Sequence, residues 1–219
     1  MEKEIIGDFF QGTVIIREET KACLDDYKNG NCVTIALIKT ALVQFGSIDK
    51  IFASYVKKDG ITEVLFKDGT KARISEEEKN VVRNISGIKH IDDAVYYETA
   101  IELFALIAMR VYELKSTYSE KCIHSFQHAV EFLNSGYPTE KSPELLGLAR
   151  KPIKVKRLNN YKSAIIYSSA HTAYCCYGYQ DQAGKSNKVN RVLGVSWMKN
   201  MRGIGGVVSG AFILKEIES

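Results

Sequence analysis

Apolar residues recur at helical spacing in the first two-thirds of the chain. The first such stretch begins at Cys32, continues to about Phe45 and stops at Gly46, a residue type that often ends helices. Two more follow at 92–114 and 119–133, and 92–114 has the stronger pattern. Residues three and four positions apart share one helix face, so each stretch predicts a helix with one buried face.

Alternating and β-branched residues predict the strands. Asp59-Gly60 and Asp68-Gly69 are pairs typical of tight hairpin turns. They separate short β-type runs at 51–56, 61–66 and 71–74. From about Lys154 onward the pattern is mainly β, with runs at 163–167, 171–179, 189–197 and 206–216.

The order of these elements indicates an α+β protein that forms a single domain. A helical lobe over about 20–150 would carry the inserted hairpin, and an antiparallel β lobe would span about 151–219. A length of 219 residues with 45% hydrophobic composition suits such a domain, because it supplies a sizeable core.

Charge and hydropathy exclude several classes of partner. The net charge is +4, and the basic residues are scattered among acidic ones without an aromatic-and-basic motif, so no nucleic-acid partner is expected. No apolar run approaches the roughly 20 residues of a membrane span, and none follows residues 1–4 as it would in a signal peptide. We therefore expect a soluble, cytoplasmic protein with no membrane partner.

The cysteines lack the paired spacing of a zinc site. Their number is odd, and in a chain of this length a disulfide framework is not expected, so a reducing compartment fits better. Adjacent cysteines on a strand would point to opposite faces. The five residues are Cys23, Cys32, Cys122, Cys175 and Cys176.

Cys32 is the first candidate for chemistry. It lies in the first turn of its predicted helix, after a polar segment, 29–31, that supplies the cap. Unpaired backbone N–H groups and the positive end of the helix dipole favour a thiolate there, and a thiolate is the attacking species in thiol hydrolases. The alternative is a small buried residue that happens to open a core helix.

His171 is the second candidate. It opens a predicted strand in the β lobe about 140 residues after Cys32. In two-lobed cysteine hydrolases such a histidine faces the cysteine across a cleft, where its imidazolium holds the thiolate. A lone histidine would be a structural residue, and the combination with the helix-opening cysteine favours catalysis.

The order of these features resembles the calpain-type branch of the papain-like cysteine peptidases. Members begin with a Gly-(Asp/Asn)-Cys segment that enters an apolar helix, then have a hairpin, two helices with a Gly-x-Pro segment, and a histidine strand. The matching segments here are Gly30-Asn31-Cys32, 61–71, 100–112, 126–138 with 143–148, and 170–174.

The resemblance implies a papain-like fold and a thiol hydrolase that cleaves a peptide or isopeptide bond. Cys32 would be the nucleophile and would form a thioester, and His171 would be its acid–base partner. A protein or peptide substrate is implied, with no cofactor and no metal.

Two positions depart from the family pattern. The family places an oxyanion-site glutamine six residues before the cysteine, where this chain has Asp26, and Gln11 is too far back to be the obvious substitute. The expected Asn-x-Trp is also absent. If residues 171–179 pair with 189–197 in a hairpin centred near Gly184, Ser196 lies opposite the histidine and is the predicted third catalytic residue, with Asn200 as the alternative.

These departures leave other functions open. One is a catalytically inactive papain-fold interaction protein. Others are an acyl transferase, a transglutaminase or a deamidase, which use the same cysteine and the same thioester. His124 and His128, with Glu131 nearby, have helical spacing that can hold a metal, although a solvated helix face is the simpler interpretation.

Overall fold

The computed structural model describes residues 4–24, 30–169, 171–189 and 208–217, and these form a mixed α+β structure with antiparallel sheets. The α-helices are α1 (Glu4–Asp8), α2 (Glu18–Cys23), α3 (Cys32–Phe45), α4 (Glu76–Ile85), α5 (Tyr97–Glu113), α6 (Lys115–Tyr118) and α7 (Phe126–Asn134). Short 3₁₀ helices cover Asp49–Ile51, Thr139–Leu146 and Val155–Asn160.

Eleven strands form three sheets in the described residues. The strands are β1 (Phe9–Gln11), β2 (Ser54–Lys58), β3 (Ile61–Leu65), β4 (Lys71–Ile74), β5 (Ile88–His90), β6 (Ala149–Pro152), β7 (Ala164–Tyr167), β8 (Thr172–Cys176), β9 (Tyr179–Gln182), β10 (Lys185–Lys188) and β11 (Gly210–Lys215). The sheets have the orders β1-β5, β2-β3-β4 and β10-β9-β8-β7-β11-β6.

Helix α3 lies at the centre of the molecule and carries Cys32 at its first position. The predicted bounds are confirmed, and Gly46 ends the helix in a left-handed conformation with φ of 88°. Every residue from Val33 to Val43 is buried, because α3 packs against α5 on one side and against β7, β8 and β11 on the other. The expectation of a single buried face was therefore too narrow.

The prediction that the Asn31 side chain caps α3 is wrong. Its side chain makes no capping hydrogen bond; instead its amide donates to the Ser86 carbonyl at 2.6 Å. Asn31 thus ties the start of α3 to the end of α4.

Within the six-stranded sheet, the chain reverses direction at two tight turns that follow each other closely. Tyr177 and Gly178 both have positive φ, 45° and 78°, and they turn β8 directly into β9. A second tight turn at Ala183 and Gly184 leads from β9 to β10. The predicted hairpin between 171–179 and 189–197 is therefore wrong, because β9 occupies the place beside β8.

The inserted hairpin and the long helix agree closely with the sequence. Asp59 and Gly60 take positive φ, 50° and 76°, and join β2 to β3 as predicted. A guanidinium–carboxylate pair fixes this sheet to α5: the Arg110 side chain, 5% exposed, donates to both oxygens of Asp68 at 3.1 and 2.5 Å. Helix α7 begins at Phe126, several residues later than predicted, because Ser125 accepts a capping hydrogen bond from the His128 N–H.

Cys23 and Cys122 form a disulfide. No disulfide framework was expected, and the chain nevertheless has this bond, because α2 packs against α7 and brings residues 99 positions apart to a Cα separation of 5.6 Å. The remaining cysteines are thiols. Cys175 and Cys176 point to opposite faces of β8, as predicted, and pack into two different hydrophobic clusters.

The larger hydrophobic cluster joins α3, α5 and α7 to parts of all three sheets, and the smaller one lies on the far face of the six-stranded sheet. No helix within the described ranges has the length and apolar character needed to cross a membrane.

Candidate functional site

A cleft of about 620 Å³ opens between the start of α3 and the start of β8. Cys32 lines it from the helix and His171 lines it from the segment just before the strand. The two candidate residues, far apart in the sequence, thus share one cavity. The aromatic side chains of Phe132 and Tyr137 also line the cleft.

Cys32 is held at the cleft by the segment in front of α3. The Gly30 N–H donates to the Asn134 carbonyl at 2.9 Å, and Gly30 pairs with Ser135 in an isolated parallel bridge. Cys32 follows two residues later with partial exposure, at the helix end where backbone N–H groups are unsatisfied. This setting lowers the cost of a negative charge on sulfur.

His171 is held by a short turn. Its N–H donates to the Ser168 hydroxyl at 3.2 Å, and its carbonyl accepts from the Ser168 N–H at 2.9 Å. Removal from water lowers the pKa of the half-buried imidazole, while the negative charge of Asp181 acts in the opposite direction.

Gln11 brings an amide group to the same cleft. Its Nε2 lies 2.7 Å from the point where a Cβ on residue 30 would stand, so the absence of a side chain at Gly30 makes room for it. The distance of Gln11 from Cys32 in the sequence therefore does not keep it from the cleft. Gln11 is the last residue of β1, and the chain between it and Cys32 contains α2. The two residues are therefore close in space although they are 21 positions apart in the sequence.

Asp181 is a cleft residue that the sequence analysis missed. It lies in β9, is 8% exposed and lines the cavity. Its carboxylate accepts from the ammonium of Lys39 at 2.6 Å and from the Gly184 N–H at 2.8 Å. Nothing in the local pattern around Asp181 distinguishes it from a surface residue of a hairpin.

Three predicted positions lie outside the described residues. These are Asp26 at the proposed glutamine position and the two candidates for a third catalytic residue, Ser196 and Asn200. The pairing argument that put Ser196 opposite His171 no longer holds, because the neighbouring strand is β9.

His124, just before α7, and His128, within it, do not form a metal site with Glu131. The His128 imidazole lies 3.4 Å from the Glu19 carboxylate, whereas Glu131 turns to α2 and accepts hydrogen bonds from Arg17 at 2.6 Å and from Thr20. Burial raises the pKa of Glu131, but these bonds outweigh it and leave the pKa below its ordinary value. No group of three metal-binding side chains occurs among the described residues.

Comparison with protein-family models, with characterised proteins and with solved structures finds no match. The cleft itself supplies the functional argument. A thiol at a helix start, an imidazole and an amide N–H are the groups that acyl-transfer chemistry needs: a nucleophile, a base and an oxyanion donor.

Proposed function

We propose that this protein is a papain-like thiol hydrolase that cleaves a peptide or isopeptide bond in a protein or peptide substrate. The observation that carries the proposal is that Cys32 and His171 line one cleft, with the Gln11 amide beside the segment that leads into Cys32. The resemblance to calpain-type peptidases supports the same function.

In the proposed reaction the Cys32 thiolate attacks the substrate carbonyl carbon. The developing oxyanion accepts hydrogen bonds from the Cys32 backbone N–H and from Gln11. The His171 imidazolium then gives its proton to the leaving amine as the C–N bond breaks, which leaves a thioester on Cys32. Water, deprotonated by His171, attacks the thioester, releases the carboxylic acid and restores the thiol.

The same thioester serves an acyl transferase, a transglutaminase or a deamidase, which differ in the nucleophile or in the amide attacked. Hydrolysis is distinguished by its products. A peptide substrate incubated with the enzyme and a primary amine yields the free acid if water is the acceptor, and the amide if the amine is.

The cytoplasmic location also stays a prediction. It was expected from the cysteine pattern, whereas disulfides such as Cys23–Cys122 persist mainly in oxidising compartments.

Thiol labelling tests the proposal without knowledge of the substrate. Native protein is treated with a limiting amount of iodoacetamide at pH 6, and the labelled cysteine is identified by peptide mass spectrometry. Cys32 should react at least about 10-fold faster than an ordinary thiol, most of which is protonated at that pH. Cys175 and Cys176 are buried, so they should stay unlabelled and thereby report that the protein is still folded.

His171→Gln is the matched variant, because it removes the base and keeps a polar side chain of similar size. It should bring the labelling rate of Cys32 back to that of an ordinary thiol. Slow labelling of Cys32 in the natural protein would refute the hydrolase and would favour an inactive interaction protein.

A further inference from the structure

A buried ion pair lies next to the cleft. Lys39 is fully buried in α3, seven residues after Cys32, and therefore about two helical turns further along nearly the same face. Its ammonium donates to the Asp181 carboxylate at 2.6 Å and to the Ile6 carbonyl at 2.9 Å, and lies 4.8 Å from the centre of the Phe9 ring. A buried lysine is costly unless its charge is paired.

Asp181 connects this lysine to the cleft. One carboxylate oxygen accepts from Lys39 and the other from the Gly184 N–H, so the orientation of the group is fixed at both oxygens. Strand β9, which carries Asp181, pairs with β8, and β8 follows directly after His171. The carboxylate therefore has a rigid place in the wall that presents the histidine.

Asp8 is the other carboxylate whose charge acts on Lys39. Its two oxygens accept from the Val95 and Tyr96 N–H groups, each at 2.7 Å, and it does not line the cleft. Asp181 is thus the member of this cluster whose charge reaches the site.

The charges alternate in sign once a thiolate–imidazolium pair forms: negative on Cys32, positive on His171, negative on Asp181 and positive on Lys39. An anion near an imidazole favours its protonated form. Asp181 acts in this direction on the pKa of His171, against the larger opposing effect of burial.

We propose that Asp181 is the positioning residue that supports the charged form of His171, and that Lys39 holds the Asp181 carboxylate in this role. The inference rests on the proposed function, because a thiol hydrolase needs the imidazolium beside its thiolate.

The pKa of His171 is the direct readout. It is measured by NMR titration of the full-length protein in a Cys32→Ser background, which removes the thiolate, and the signal is assigned by its loss in His171→Gln. The double variant Asp181→Asn/Lys39→Met removes both charges without leaving one unpaired. The matched control is Asp68→Asn/Arg110→Met, which removes an ion pair of a buried arginine with a partly exposed aspartate, and neither residue lines the cleft.

The double variant at Asp181 and Lys39 should lower the pKa of His171 by about one unit, since the nearer charge removed is negative. The control double variant should leave that pKa unchanged. Lys39→Met alone should also lower it, because the Asp181 carboxylate then loses the ammonium that fixes it in place. An unchanged pKa in the Asp181 double variant overturns the proposal, and a pKa that stays or rises in Lys39→Met overturns the part assigned to Lys39.

Alkylation by iodoacetate separates this inference from the proposed function. This anionic reagent reacts best with a thiolate beside an imidazolium, so proteins that retain Cys32 should react fastest within a limited pH window. Absence of that window in the natural protein refutes the hydrolase. A window whose upper limit is the same in the natural protein and in the Asp181→Asn/Lys39→Met variant refutes only the role of Asp181 and Lys39.

Discussion

Replacing Gln11 by alanine removes the side-chain amide that lies against Gly30 and leaves the backbone pairing of β1 with β5 in place. If this amide is an oxyanion donor, its loss should slow acylation of Cys32 about 100- to 1,000-fold, as removal of one such donor does in other acyl-transfer enzymes. That ratio corresponds to about 2.7–4 kcal/mol of transition-state stabilisation. Folding stability should change by only about 0.5 kcal/mol, because Gln11 is half-buried at a sheet edge.

Two reactions of the same thiol distinguish this role from a general effect on Cys32. Acylation by p-nitrophenyl acetate passes through an oxyanion, whereas alkylation by iodoacetamide is a displacement at carbon and forms none. Gln11→Ala should therefore slow the first reaction strongly and the second by no more than about 3-fold, a change of under 1 kcal/mol.

Gln44→Ala is the matched control. Gln44 is also half-buried and hydrogen-bonded, to the Leu214 carbonyl and to the Ser163 hydroxyl, but at the far end of α3 from Cys32. It should leave both rates unchanged. Equal losses of acylation and alkylation in Gln11→Ala would show that Gln11 acts on the thiolate and not on the oxyanion, and unchanged acylation would remove it from the site.

Three further predictions concern stability. With the disulfide intact, three of the five cysteines of the unfolded protein should react as thiols. Cys122→Ser should lower the free energy of unfolding by about 2–5 kcal/mol, and a reducing agent should cause the same loss in the natural protein. Asp68→Asn should cost about 1–3 kcal/mol in urea unfolding because the buried Arg110 guanidinium loses its anionic partner, and Asp68→Asn/Arg110→Met should recover part of that loss. Glu131→Gln should destabilise the protein at pH 7, and the difference should shrink as the pH falls below about 4, because the folded-state pKa of Glu131 is lowered and its contribution is lost on protonation. A pH-independent difference would contradict the last of these.

Local sequence patterns were sufficient for the elements that carry Cys32 and His171. The helix of Cys32 is bounded by a polar segment and a glycine, and an apolar and aromatic run follows His171, so both elements could be identified from nearby residues, although the strand ends at Cys176 and not at Tyr179 as predicted. The hairpin of β2 and β3 was equally clear, because Asp59-Gly60 is a strong turn signal.

The missed residues depend on contacts between distant segments. Lys39 reads as an exposed lysine on an amphipathic helix, and only the close packing of α3 on the sheet buries it. Asp181 was missed because the first turn after β8 uses Tyr177 in a left-handed conformation, for which tyrosine gives no sequence signal. The pairing of Cys23 with Cys122 likewise cannot be deduced from cysteine spacing.

The place of β11 in the large sheet affects how the protein is assembled during synthesis. This strand lies between β7 and β6, yet both of those precede it in the chain. Until β11 arrives, β6 has no partner in this sheet and one edge of β7 offers unpaired backbone groups to other chains. Because β7 also supports β8, the wall that presents the histidine is completed late, and a ribosome-bound chain should form the complete cleft only after β11 has emerged.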